Sequence, residues 1–134
     1  MTRIIRGLAD TSVFIAKEQR RPIKFEKLPD EIVISVITVA ELYAGVLATG
    51  DVATRARRLA TLEALAEVEV LSIGEEAARV WAELRVRLAE GGQRVNVNDL
   101  WIAATAIANN LPIISQDSDF DSIQTMGKLQ LIKI

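Results

Sequence analysis

The chain contains, at residues 31–36, the run Glu31-Ile32-Val33-Ile34-Ser35-Val36. Its apolar residues are β-branched and do not alternate with polar ones, a pattern typical of a strand whose two faces are both covered. Strands of this kind occur in parallel sheets that have helices packed on either side. We therefore predict an α/β fold built on a parallel sheet.

The rest of the chain alternates short apolar runs with helical patterns. Further strands are predicted at residues 3–9, 68–73, 111–115 and 129–134, and the last has one partly exposed face that suits a sheet edge. Helical patterns lie between the strands, at residues 13–16, 38–48, 51–67, 74–90 and 98–109. This alternation predicts a three-layer α/β/α architecture with a mainly parallel central sheet of four to five strands and right-handed crossovers.

Length and composition limit the class of protein. The 134 residues suit one domain spanning 1–134, large enough to bury a core without disulfides. No apolar run approaches the roughly 18 residues that span a bilayer, and the start of the chain lacks a signal-peptide pattern, so we expect a cytoplasmic protein with no membrane partner. The chain has no cysteine and no histidine, which excludes thiol nucleophiles, Cys/His zinc sites and imidazole acid–base catalysis. The net charge of −2 gives no global attraction to nucleic acid, so any such binding must be local.

Four acidic residues, Asp10, Glu41, Asp99 and Asp117, lie at predicted strand ends or helix starts. Because the carboxyl ends of parallel strands meet along one edge of a sheet, these side chains could converge there. Each also has a simpler explanation. An Asp at a helix start caps free N–H groups, worth roughly 0.5–2 kcal/mol, and Thr38 and Glu41 have the spacing of a capping box. Both interpretations stay open at this point.

Converging carboxylates repel one another and bind protons unless a cation offsets their charge. Oxygen ligands without histidine or cysteine favour Mg²⁺ or Mn²⁺. Such an ion polarises a phosphoryl oxygen and lowers the pKa of a bound water, which suits phosphoryl-transfer chemistry. A phosphatase or receiver domain that uses Asp10 as phosphoacceptor is a further possibility. It is disfavoured because no Asp-x-Asp directly follows the first strand, and no Lys follows the fourth strand at the position where such sites usually have one.

At these acids the sequence resembles the PIN-domain ribonucleases, and especially the VapC toxins of bacterial toxin–antitoxin pairs. Four segments occur in family order and together span nearly the whole chain. They are Asp10-Thr11-Ser12, Thr38-Val39-Ala40-Glu41-Leu42-Tyr43-Ala44-Gly45, Asn98-Asp99-Leu100-Trp101-Ile102-Ala103-Ala104 and Ser115-Gln116-Asp117-Ser118-Asp119-Phe120.

The resemblance implies a PIN-like fold and a Mg²⁺-dependent endoribonuclease toxin, with Mn²⁺ able to substitute, that hydrolyses RNA with a metal-activated water. It also implies a cognate VapB-type antitoxin, and assembly as a homodimer or, with the antitoxin, as a heterotetramer or hetero-octamer. By position it makes Asp10, Glu41, Asp99 and Asp117 the catalytic acids. Asp10, Asp99 and Asp117 would hold the metal, and Glu41 would act through water. Asp119 is the second choice for the fourth acid.

Further polar and basic side chains lie close to these acids in sequence. Five are candidates to orient ligands or water, with local turn and cap hydrogen bonds as the alternative: Thr11, Ser12, Asn98, Ser115 and Asp119. Ser115 stands where the family usually has Thr, a change that keeps the hydroxyl. A basic cluster could contact RNA phosphates or form a solvated surface: Arg20, Arg21 and Lys24. The alternative function for the whole chain is a non-catalytic PIN-like interaction module whose acids are helix caps.

Overall fold

A computed structural model describes residues 4–126 and 128–134. Those residues form one sheet of five strands: β1 (Arg6–Ala9), β2 (Glu31–Ser35), β3 (Val70–Leu71), β4 (Ile113–Ser115) and β5 (Leu131–Lys133). Their spatial order is β3-β2-β1-β4-β5, and every neighbouring pair is parallel. The predicted parallel sheet is confirmed, with β5 at an edge. Arg3, where the first strand was predicted to begin, lies outside the described residues, and within them the strands are shorter than the apolar runs suggested.

The same residues contain six α-helices: α1 (Thr11–Glu18), α2 (Val36–Leu47), α3 (Val52–Glu63), α4 (Glu75–Glu90), α5 (Val97–Ala108) and α6 (Asp121–Thr125). A short 3₁₀ turn at Phe25–Lys27 lies between α1 and β2. Among these described helices, none combines the length and the apolar character that crossing a membrane requires.

The central strands bury side chains on both of their faces. Successive residues of a strand point to opposite faces, so Leu8 and Ile113 share one core with residues of α4, α5 and α6. Ala9 and Ile114 share the other core with Val13 of α1. Each fully buried Leu or Ile contributes about 1.5–3 kcal/mol. The sheet therefore lies between two helical layers, which confirms the predicted α/β/α architecture.

Helix α5 is the most buried helix and holds Asp99 in its first turn. Leu100 and residues 102–106 are at most 3% exposed. The helix begins at Val97 because Asn96 caps it, accepting hydrogen bonds from the backbone N–H groups of Asn98 (2.8 Å) and Asp99 (3.4 Å). The predicted start at residue 98 was one residue late. A helix fixed in the core in this way gives Asp99 a rigid support.

The predicted capping box at the start of α2 is wrong. Helix α2 starts at Val36, directly after β2, and its cap is Ser35, whose Oγ accepts from the backbone N–H of Ile37 at 3.0 Å. Ile37, in the first turn of the helix, packs against the core. Thr38 is fully buried inside the helix, and Glu41 lies in its second turn.

Candidate active site

The carboxyl ends of the two central strands bring distant segments together. The backbone N–H of Asp10, just after β1, donates to the carbonyl of Ile114 in β4 at 3.0 Å. This bond continues the register in which Ala9 lies opposite Ile114, and it therefore places Asp10 beside Ser115. Two segments about a hundred residues apart in sequence thus meet at one edge of the sheet, as predicted.

Asp10 lies in a network of hydroxyl groups and is only 3% exposed. Ser12 Oγ donates to Asp10 Oδ1 at 2.7 Å, and Ser115 Oγ lies 3.1 Å from Asp10 Oδ2. Ser115 Oγ also lies 3.3 Å from Asp117 Oδ1, and Ser12 Oγ accepts from the backbone N–H of Gln116 at 3.0 Å. The two serine hydroxyls therefore join Asp10 to the loop that carries Asp117.

Glu41 is held by side chains from two other helices. Thr11 Oγ1, at the start of α1, lies 2.6 Å from Glu41 Oε1, and Asn98 Nδ2, in α5, lies 3.5 Å from Glu41 Oε2. Thr11 Oγ1 is also 3.0 Å from the hydroxyl of Thr38. Because a carboxylate can only accept, Thr11 donates its proton to Glu41. This hydrogen bond fixes one oxygen of Glu41, whereas the other oxygen accepts only the 3.5 Å hydrogen bond from Asn98 among the described residues.

Three of the four predicted acids sit close to helix starts without capping them. Asp10 occupies the cap position of α1, yet its side chain makes no cap hydrogen bond. Asp99 lies in the first turn of α5, where Asn96 provides the cap, and Glu41 lies in α2, where Ser35 does. The helix-cap explanation, open from sequence alone, does not account for these three carboxylates.

Asp51 shows how a capping aspartate behaves in the same molecule. Its Oδ2 accepts from the backbone N–H of Thr54 at 2.9 Å and from the Thr54 hydroxyl at 2.6 Å, which caps α3. These hydrogen bonds lower the pKa of Asp51, since they stabilise its charged form. Asp51 thus provides an internal comparison for the acids of the sheet edge.

The pKa values of the two central acids are shifted in the opposite direction. Burial raises the pKa of Asp10 to about 7, with repulsion from Asp117 adding to the rise and the hydrogen bond from Ser12 opposing it. Burial also raises the pKa of Asp99 to about 7, assisted by repulsion from Asp119 and then from Glu41. These carboxylates share one region of negative charge that no nearby cation offsets in the described residues.

Asp117 and Asp119 occupy different positions relative to the two central acids. Asp117 is linked to Asp10 through Ser115, and its Oδ1 also accepts from the backbone N–H of Asp119 at 3.1 Å. Asp119 is largely exposed. Partial loss of contact with water and the neighbouring Asp117 raise the pKa of its carboxyl. Asp117 is therefore on the Asp10 side of the site, whereas Asp119 exerts the largest repulsion on Asp99.

The acids are neighbours without forming a closed cage. Within residues 4–126 and 128–134, no three of them are grouped closely enough to chelate an ion as their side chains stand. The repulsions that raise the pKa values of Asp10 and Asp99 nonetheless show that the acids lie within each other's electrostatic field. The Asp99 carboxylate accepts no hydrogen bond from any described residue, so it can rotate without breaking one.

Sequence reasoning missed three residues that organise this site: Asn96, Thr38 and Gln116. Asn96 precedes Asp99 by three residues, a cap spacing that could have been recognised. The buried hydroxyl of Thr38 supports Thr11 across 27 residues of sequence. The Gln116 carboxamide donates to the backbone carbonyls of Ile134 at 2.5 Å and Pro22 at 3.1 Å. No local pattern reveals these last two roles, because the partners are distant in sequence.

The predicted basic cluster does not touch the acids. Arg20, Arg21 and Lys24 are exposed and follow the end of α1. Their nearest connection to the site is the hydrogen bond from Gln116 to the carbonyl of Pro22. These three residues are therefore connected through Gln116 to the sheet edge that carries the acids, which we call the acidic edge, and they make no hydrogen bond or ion pair with the acids among the described residues.

The sequence model of the PIN domain matches residues 8–125. The chain belongs to the PIN-domain family. It is 48% identical over 128 residues to Ribonuclease VapC5 of Mycobacterium tuberculosis, covering 96% of this chain and 95% of the relative. Ribonuclease VapC4 of the same organism is 43% identical over 117 residues, covering 86% and 88%. The family resemblance predicted from the four motifs is confirmed.

The PIN-domain fold is shared with solved toxin–antitoxin structures. The crystal structure of VapBC-5, a member of the VapBC family of toxin–antitoxin systems from Mycobacterium tuberculosis, matches with a TM-score of 0.89 and 46% identity, covering 96% of this chain and 98% of that one. VapBC-1 from nontypeable Haemophilus influenzae matches with a TM-score of 0.78 and 27% identity, covering 96% and 98%. The chain thus corresponds to VapC ribonucleases along nearly its whole length.

Proposed function

We propose that this PIN-domain protein is a metal-dependent endoribonuclease toxin whose acidic quartet is Asp10, Glu41, Asp99 and Asp117. The main support is the contrast among its aspartates. Asp51 caps a helix and has a lowered pKa, whereas Asp10 and Asp99 stand near helix starts, cap nothing and have pKa values raised to about 7. Burying like charges together costs stability, and such an arrangement is typical of functional sites.

The donor set fits a divalent cation of the Mg²⁺ or Mn²⁺ type. It consists of carboxylates and hydroxyls, and the chain contains no histidine or cysteine. Asp10, Asp99 and Asp117 would hold the ion, with Glu41 reaching it through water. A bound divalent ion supplies positive charge and Lewis acidity toward a phosphodiester.

The surrounding side chains keep the acids in position. Ser12 and Ser115 each hold one oxygen of Asp10, so its carboxylate has a fixed orientation. Thr11 holds Glu41 Oε1 at 2.6 Å. Oε2 accepts only the 3.5 Å hydrogen bond from Asn98 among the described residues, which leaves it available to bind water. These hydrogen bonds orient the groups before RNA arrives, which lowers the cost of reaching the reactive geometry.

The partner we propose is a VapB-type antitoxin that binds and inhibits this chain. Its support is that the matched VapBC-5 protein is a member of the VapBC family of toxin–antitoxin systems. Assembly as a homodimer, or as a heterotetramer or hetero-octamer with the antitoxin, is part of the same proposal. The alternative of a non-catalytic module is disfavoured because its acids would have to be helix caps, and three of the four are not.

RNA cleavage should depend on a divalent cation. Wild-type protein incubated with labelled total RNA and Mn²⁺ or Mg²⁺ should produce discrete new ends, whereas the same protein with excess chelator should produce none. Mapping the ends by sequencing identifies the RNA and the cleaved bond. Equal cleavage with chelator would contradict the proposed metal dependence, and the absence of cleavage of any RNA with metal would contradict the proposed activity.

Thr11→Val should slow RNA cleavage by about tenfold, because it removes the hydroxyl that holds Glu41 while keeping the shape of the side chain. Thr11→Ser keeps the hydroxyl and should cleave within about twofold of wild type. Both variants should be compared by initial rates at saturating Mn²⁺, so that a change in metal affinity does not obscure the result. Equal rates for Thr11→Val and Thr11→Ser would show that Glu41 needs no support from this residue.

A further inference from the structure

Three helices of this chain end in the same kind of turn. In each, the second N–H after the cap residue donates back across the turn to a helix carbonyl: Arg21 to Ala16 at 2.8 Å, Gln93 to Leu88 at 2.8 Å and Leu111 to Ala106 at 2.9 Å. This Schellman turn needs a left-handed residue just after the cap, which is normally Gly and sometimes Asn. The left-handed residues are Gly92 (φ 71°), Asn110 (φ 55°) and Arg20 (φ 58°).

Arg20 is the exception among the three. Glycine adopts this conformation without strain and asparagine tolerates it, whereas the Cβ of an arginine meets the following carbonyl oxygen. Residues held in sparsely populated backbone conformations cluster at functional sites. The side chain of Arg20 is exposed, and it makes no ion pair with any residue that the structure describes. Its charge therefore contributes no ion pair to the fold.

Arg21 and Lys24 share the surroundings of Arg20. Both are exposed and, within residues 4–126 and 128–134, neither takes part in an ion pair. We call Arg20, Arg21 and Lys24 the basic rim. Three unpaired cations on one short segment repel one another in the free protein, so a polyanionic ligand would stabilise them.

Gln116 attaches the basic rim to the acidic edge. Its carboxamide donates to the carbonyl of Pro22, between Arg21 and Lys24, at 3.1 Å. Its backbone N–H donates to Ser12 Oγ at 3.0 Å, and Ser12 Oγ donates to Asp10 Oδ1 at 2.7 Å. A chain of three hydrogen bonds thus runs from the rim to the central acid of the site, and it fixes the distance between them.

This placement answers an electrostatic requirement of RNA cleavage. The acids of the site repel every phosphate of the RNA backbone, and a divalent ion would offset that repulsion only locally. Phosphates next to the cleaved one need cations of their own. We propose that the basic rim binds RNA backbone phosphates adjacent to the cleaved bond, with Arg20 as its main contact. The inference rests on the proposed ribonuclease function and adds the surface by which the substrate is held.

The test compares Arg20→Gly with Asn110→Gly, since each places glycine at a left-handed position of a Schellman turn but only the first removes a charge. Binding of a short fluorescent single-stranded RNA is measured in chelator, where no cleavage is expected, at several salt concentrations. Arg20→Gly should weaken binding by roughly threefold to tenfold near physiological salt and reduce the slope of log K against log salt by about 0.7. Asn110→Gly should bind RNA as wild type does.

Melting temperatures separate this effect from damage to the fold. Both glycine variants should melt at or slightly above the wild-type temperature, because they relieve left-handed strain. Arg20→Lys, which keeps the charge, should retain most of the RNA affinity and the wild-type salt slope.

If Arg20→Gly bound RNA with the wild-type affinity and salt slope, the proposed role of the basic rim would be wrong, although wild-type protein could still cleave RNA. If wild-type protein did not cleave RNA with Mn²⁺, the proposed ribonuclease function itself would be contradicted. If wild-type protein did not bind RNA, the proposed role of the basic rim would also be wrong.

Discussion

Asp99→Asn should lower the rate of RNA cleavage by a factor on the order of a thousand or more while leaving the protein folded. The substitution keeps the size and shape of the side chain and removes only its negative charge. Burial and the neighbouring Asp119 and Glu41 raise the pKa of Asp99 to about 7, so above that pH the wild-type carboxylate is charged at a cost to stability. The amide removes this cost. Activity and stability should therefore change in opposite directions, with the variant melting at or above the wild-type temperature at pH 8 in chelator.

Asp51→Ala is the matched control for Asp99→Asn. Asp51 is also an aspartate at a helix start, but it is exposed, and its carboxylate accepts two hydrogen bonds from Thr54. Removing it should lower the melting temperature, because the two hydrogen bonds that cap α3 are lost, and should leave cleavage unchanged. Initial cleavage rates and thermal melts of both variants test the pair of expectations. Full cleavage activity in Asp99→Asn would remove Asp99 from the site.

The sequence predicted those features of the fold that depend on local pattern. The β-branched residues within Glu31–Val36 indicated a strand that is covered on both faces, and the structure has β2 in the interior of a parallel sheet. The almost wholly apolar stretch after Asp99 indicated a buried helix, and α5 is the most buried helix. These predictions succeed because the spacing of apolar residues records directly which faces are covered.

Helix boundaries were predicted less well, because several residues compete for the same cap. Thr38 and Glu41 have the spacing of a capping box, but Ser35 caps α2 and Thr38 is buried within it. Burial of Ser35 and Thr38, and the packing of Ile37 against the core, depend on tertiary contacts that no local pattern reports. Asn98 was similarly placed at the start of α5, which is capped by Asn96.

The choice between a cap and a functional acid could not be made from sequence. Both explanations fit an Asp at a helix start, and they differ only in which groups surround the carboxylate. For Asp10 the deciding partner is Ser115, which is 105 residues away, and for Glu41 it is Thr11, 30 residues away. Family order suggested which residues to compare, and the contacts show that Asp10 and Glu41 contact neighbouring segments and do not cap their own helices.

The stability of the metal-free protein should fall as the pH rises from about 4 to 7 and then level off. Asp10 and Asp99 have pKa values near 7 in the folded chain, whereas an unfolded aspartate has a pKa of about 3.9. Between these values the folded state binds more protons than the unfolded state, so the free energy of unfolding decreases with increasing pH. The chain has no histidine whose own titration would obscure this trend. Melting temperatures in chelator should therefore be higher at pH 5 than at pH 8.

A divalent cation should reverse this loss of stability, and its effect should grow with pH. Mn²⁺ competes with protons for the same oxygens, so it should raise the melting temperature clearly at pH 8 and little at pH 5. At a hundredfold excess over its dissociation constant it would add about 2.7 kcal/mol. The double variant Asp10→Asn, Asp99→Asn should lose most of the decline with pH, because Asp119 is the one remaining described acid with a raised pKa, and it should lose the response to Mn²⁺. If that variant responded to Mn²⁺ as strongly as wild type does, the ion would be binding elsewhere. If Mn²⁺ raised the melting temperature of the wild-type protein equally at pH 5 and pH 8, the ion would not be competing with protons for its ligands. The two central acids are therefore tested by stability alone, independently of any RNA substrate.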